Sequence, residues 1–154
     1  MAKYLITILV TISIFSVNCQ KNTAKPSYDP DQIIIIDHES LNRWPDDSFY
    51  FSSEALIEDN SLRLNIAYSG GCANHTFRLL GLREFMETNP PTVPIFLSHN
   101  AHNDYCDGFM TDTLSFDLKP LEELYKYYYG EDSDMLYLSI DGLEQPIVYE
   151  MGPN

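Results

Sequence analysis

The sequence predicts a mainly β chain: an antiparallel, immunoglobulin-like β-sandwich carrying one short helix, with a small β-barrel as the alternative. Three observations predict it. From Phe49 onward, apolar and polar residues alternate in short runs, the period of half-buried strands. Turn clusters such as Glu58-Asp59-Asn60-Ser61 and Asp141-Gly142 separate those runs. One stretch has helical spacing, Leu121, Leu124, Tyr125 and Tyr128, with Pro120 at its start and Gly130 past its end. A chain of 154 residues is long enough for one domain.

The elements follow in order. Ile33-Ile34-Ile35-Ile36 is a β-branched run between acids, an edge strand or a docking segment. Asp37 to Ser40 and Trp44 to Asp47 read as loop. Phe49 to Ile57 and the alternating Leu62, Leu64, Ile66 and Tyr68 form a hairpin, ended by Gly70-Gly71. A strand begins near His75, with His75, Phe77 and Leu79 on one face. Leu82 to Glu87 has helical character inside a connection. Pro91 to Ser98 is a strand whose Pro94 argues for an edge position. Asn100 to Asp112 reads as a long polar loop, and Thr113 to Leu118 as the strand after it. Leu136 to Ile140 and Gln145 to Met151 are the last two strands.

The first residues read differently. Met1-Ala2-Lys3 is a short positive start, and Tyr4 to Val17 is apolar and uncharged. At ~1.5 Å per residue that run is short for a membrane crossing and suits a secretory leader. It ends in Ser16-Val17-Asn18-Cys19, which resembles the lipobox of bacterial lipoproteins in a relaxed form. The resemblance implies cleavage after residue 18 and acylation of Cys19. Residues 1–18 are then a signal peptide, 19–31 a lipidated N-terminus and polar tether, and 32–154 one sandwich domain. The implied location is the bacterial cell envelope, at the outer membrane, with the domain outside the cytoplasm. The net charge of −14 excludes nucleic acid as a partner and favours a cationic ligand or a basic protein surface.

Two stretches carry the chemistry: Ser69-Gly70-Gly71-Cys72-Ala73-Asn74-His75, and His99-Asn100-Ala101-His102-Asn103-Asp104-Tyr105-Cys106. His75 starts one strand and His99 ends the next, so antiparallel neighbours bring Cys72, His75, His99 and Cys106 together. Three readings of that cluster are open. In an oxidising compartment Cys72 and Cys106 form a disulfide that staples a small domain. Alternatively, Cys72, His75, His99 and Cys106 hold zinc or copper(I), or, more weakly, Asp104, Asp107 and Asp112 hold calcium. As a hydrolase, Cys72 is the nucleophile, His75 or His99 the base, and the Gly70-Gly71 amides an anion nest. Asn100 and Asp104 organise the loop by side chain to backbone hydrogen bonds. Tyr125, Tyr127, Tyr128 and Tyr129 read as packing at core and rim.

The combination Ser-Gly-Gly-Cys-x2-His-x-Phe, His-Asn-x3-Asp-x-Cys and Thr-x-Ser-Phe-Asp-Leu-x-Pro-Leu resembles small uncharacterised bacterial envelope lipoproteins. That resemblance implies an envelope location and carries no reaction with it. The leading expectation is a membrane-anchored binding or structural module without a cofactor.

Overall fold

The computed structural model describes residues 29–151. The leader, Cys19 and the tether up to residue 28 lie outside the described residues. The order is β1 (Ile34–Ile36), a 3-10 helix (His38–Arg43), β2 (Tyr50–Phe51), β3 (Leu56–Glu58), β4 (Ser61–Gly70), β5 (Thr76–Leu82) and β6 (Thr92–Asn100). Then come β7 (Gly108–Asp117), α1 (Lys119–Tyr129), β8 (Met135–Ile140) and β9 (Ile147–Glu150).

Two sheets stack as a sandwich and do not close into a barrel. The larger has the order β1-β5-β6-β8-β9. In the smaller, β4 is central, with β2 and β3 along one side and β7 along the other. The alternating apolar positions of β4 point between the sheets: Leu62, Leu64 and Ile66 are fully buried. They meet Phe77 and Leu79 of β5, Val93, Ile95 and Leu97 of β6, and Leu136, Leu138 and Ile140 of β8. Each such side chain contributes about 1.5–3 kcal/mol by leaving water.

The large sheet is mixed. β1 pairs in parallel with β5, and β6 in parallel with β8. Ile33 joins the main core, while Ile34 and Ile36 pack with Leu80 and Leu82 on the opposite face. A strand covered on both faces reads as an unbroken apolar run, which is what four consecutive isoleucines are.

Three local expectations are corrected. Leu82 to Glu87 is not helical: Leu82 ends β5, and Met86 instead bridges to Thr92. β6 is central, not an edge, yet the reasoning about Pro94 survives locally. The Pro91 and Ile95 carbonyls accept from Tyr137 and Asp141 on the β8 side, so Pro94 faces the other way. There the β5 ladder has already stopped at Gly81–Ile95, and no partner requires its missing N–H. Finally, β7 begins at Gly108 rather than near Thr113, which shortens the loop before it.

The turn and helix chemistry follows the sequence. Asp59 and Asn60 take left-handed conformations (φ 46° and 63°) in the tight β3–β4 hairpin. α1 has Pro120 in its first turn, and Gly130 beyond its end donates to the Lys126 carbonyl. Glu122 on its inner face is buried, accepts from Asn60 Nδ2 at 2.9 Å and pairs with Lys126 at 2.7 Å. Tyr149 donates to Asn60 Oδ1 at 3.0 Å, which ties β9 to the same hairpin. Among the described residues, no helix is long and apolar enough to cross a membrane.

Candidate functional site

The register of the two antiparallel pairs forces the two motifs together. β4 and β7 end level, Gly70 opposite Gly108. β5 and β6 also end level, Thr76 opposite Asn100. The corner 71–75 therefore lies beside the loop 101–107 at one rim of the sandwich. Cys72 is two residues past Gly70, Cys106 two before Gly108, and their sulfurs are bonded, with Cα atoms 6.0 Å apart.

The organising group of the rim is Asp104. Its Oδ2 accepts from three successive backbone amides, Gly71, Cys72 and Ala73, at 2.9, 2.8 and 2.8 Å. Its Oδ1 accepts from the Cys106 amide at 2.9 Å. His75 Nε2 adds a contact at 3.2 Å, with both side chains shielded from water. These amides, led by Cys106 and Ala73, hold the Asp104 carboxyl well below the usual carboxylate range. Gly71 makes the nest possible, because its φ of +113° is one that side-chain-bearing residues resist. Gly70 is required by space: a Cβ there would stand 2.5 Å from His75 Nε2 and 3.2 Å from Asp104 Oδ2.

Behind Asp104 the two histidines meet. His75 Nδ1 and His99 Nε2 are 2.8 Å apart, and His99 Nδ1 donates to the Asp47 carbonyl at 3.0 Å. Both ends of this relay are acceptors, so both outer nitrogens carry hydrogen. The inner nitrogens then face each other across one hydrogen bond. Burial lowers the His99 pKa. Phe77 stacks on His99, with centroids 4.3 Å apart, and Tyr68 covers His75 at 4.6 Å. Tyr68 donates to Asp112 at 2.5 Å, and burial together with that bond raises its pKa to about 12.

Asn100 Oδ1 accepts from the His102 amide, and Ala101 O from the Asp104 amide, both at 2.9 Å. His102 and Asn103 occupy left-handed backbone between them (φ 51° and 60°). Asp47, read as loop in the sequence, clamps the other side by accepting from the Ala101 amide at 2.7 Å. Its signal was its neighbourhood: Trp44-Pro45-Asp46-Asp47 pairs with His99, which no local pattern announces.

The geometry corrects the hydrolase reading. The Cys72 sulfur is consumed in the disulfide. The anion nest exists, built from Gly71, Cys72 and Ala73, but the chain's own Asp104 fills it. For a metal, the ligand atoms of Cys72, Asp104 and Cys106 lie within 4.8 Å of one another. In the oxidised rim, however, the sulfurs are not thiolates and His75 and His99 bind each other, so this form does not fit a tetrahedral zinc or copper(I) set. The calcium variant fails on geometry: Asp104 faces inward to the nest, whereas Asp112 bonds Tyr68.

No family model matches this sequence, and no curated protein matches it. Solved structures do share its fold. A Bacteroides caccae NigD-like immunity protein superposes with a TM-score of 0.53 at 19% identity, over 77% of this chain and 58% of that one. A Bacteroides vulgatus protein of unknown function, DUF1344, gives 0.52 at 12% identity, over 79% and 56%. The chain thus spans less than three-fifths of the length of each. At these identities the likeness concerns the fold alone.

Proposed function

We propose that this chain is an exported, lipid-anchored lipoprotein whose sandwich acts as a binding or structural module. The observation that carries this reading is saturation of the rim. The groups at its centre are spent internally: both sulfurs on each other, Asp104 on four amides and His75, His99 on His75 and Asp47. Such a network fixes two loops in place and occupies the sulfurs, the amide nest and the two inner histidines. A disulfide across the rim suits an exported domain, and the relaxed lipobox at Cys19 supplies the anchor. The immunity-protein neighbour shares the fold and supports no transfer of its partner.

The test combines thiol counting with lipid labelling on protein purified without reductant. The expected result is no reactive thiol at Cys72 or Cys106, and palmitate label that disappears in Cys19→Ser. One fast-reacting thiol at Cys72 would restore the hydrolase instead. A second reading keeps zinc or copper on the reduced rim, favoured by the closeness of Cys72, Asp104 and Cys106. It requires two thiols that react only after chelation, with metal present in elemental analysis.

A further inference from the structure

The small sheet has one long unpaired side. Among the described residues, the ten residues of β7 pair with β4 along one edge and, on the other, only with Asp31 to Ile33 at Asp117. Asp117 donates outward to the Asp31 carbonyl and accepts outward from the Ile33 amide. The β4–β7 register runs without a bulge over ten pairs, so direction alternates strictly along the strand. The amides and carbonyls of Phe109, Thr111, Thr113 and Ser115 therefore point the same way as those of Asp117. Exposed edges in monomers are normally blunted by lysine, proline, a bulge or an inward-pointing charge; β7 has no lysine, proline or bulge, and its one such charge is Asp112.

The large sheet leaves the same side open. β1 covers β5 only from Leu80 onward, so among the described residues Thr76 to Leu79 have no neighbouring strand there. A groove of about 660 Å³ lies between this part of β5 and β7. Residues 108–113 are exposed on both faces, including Met110 and Asp112, which by parity face the interior side. The groove is acidic: Asp31, Asp112 and Asp117 line it. Its cation, Arg78, is turned onto the Phe77 carbonyl at 2.6 Å.

We propose that the free edge of β7 takes an extended, cationic segment of a partner protein as an added strand. This rests on the module reading and specifies where the module binds. Main-chain bonds to Phe109, Thr111, Thr113 and Ser115 hold the segment, and alternate side chains enter the groove to cover Thr76 and Phe77. A lysine or arginine opposite Asp112 matches the charge. A second copy of this chain is the poorer occupant, because two bodies of net charge −14 repel.

The test is residue-resolved amide hydrogen exchange on the mature chain, alone and with a synthetic eight-residue peptide of alternating lysine and valine. Alone, the amides of Phe109, Thr111, Thr113 and Ser115 exchange fast, whereas those of Met110, Asp112 and Leu114, turned to β4, exchange slowly. Saturating peptide slows the first set. Thr111→Pro removes one outward donor and leaves the β4 ladder intact, so it melts like the parent and loses that protection. Asp112→Asn, which keeps the backbone unchanged, weakens peptide binding about two- to fivefold at low salt. Slow outward amides without peptide overturn the proposal, as does protection that persists in Thr111→Pro. A second acidic groove is lined by Asp46, Glu54 and Glu144; protection falling there instead also overturns it, while leaving the module reading, judged by thiols and lipid, untouched.

Discussion

Replacing both Cys72 and Cys106 by serine isolates what the covalent staple contributes. The bridge spans a sequence separation of 34. In the chain-entropy model, closing a loop of that length in the unfolded ensemble is worth about 4 kcal/mol at 25 °C. For a domain of this size that corresponds to a fall in melting temperature of about 15 °C. The amide nest around Asp104 uses backbone donors and persists in the serine variant, so the fold is retained and only its margin shrinks. Thermal and urea unfolding of parent and variant, both without reductant, measure the difference. A loss below about 1 kcal/mol would refute the reasoning, because the rim would then owe its closure to Asp104 and the histidines rather than to the sulfurs.

Gly70→Ala places a methyl group against His75 and Asp104, and overpacking there costs about 1–3 kcal/mol in chemical denaturation; an unchanged midpoint contradicts the steric account. Tyr149→Phe removes the bond to Asn60 and lowers stability by about 1 kcal/mol, read from the same titration. Acid destabilises the domain in two stages. The lowered His99 pKa gives stability that is complete above the ordinary value of 6.5 and declines as pH falls through the folded value. The lowered Asp104 pKa gives stability complete above its ordinary value of 3.8 and lost below it. Melting curves from pH 7.5 downward record both stages, His99→Gln removes the upper one, and a flat profile between pH 7 and 4 would contradict the assignment.

Much of the fold was legible where one face of a strand meets the core. Leu62 to Tyr68 alternate because β4 is buried on its inner face, and α1 shows its period because Leu121 and Tyr125 are buried. The start of β7 was illegible for the converse reason: Gly108 to Thr113 are exposed on both faces, so no alternation was selected there. Pro94 misled because a rule about whole strands was applied to a residue whose unpaired side is local. Parity and chain order were enough to bring Cys72, His75, His99 and Cys106 to one rim. They could not show that Asp104 fills the nest or that Asp47 backs His99, since both depend on loops whose paths are set by tertiary bonds.

The bond between Cys72 and Cys106 also closes a covalent ring. That ring contains β5 and β6, strands of the large sheet, while both of its ends hang from the small sheet through β4 and β7. A protease that cuts the connection between residues 83 and 91 would therefore nick the chain without parting it. The two pieces would migrate together until a thiol reagent released them, and damage of that kind would leave the sandwich assembled.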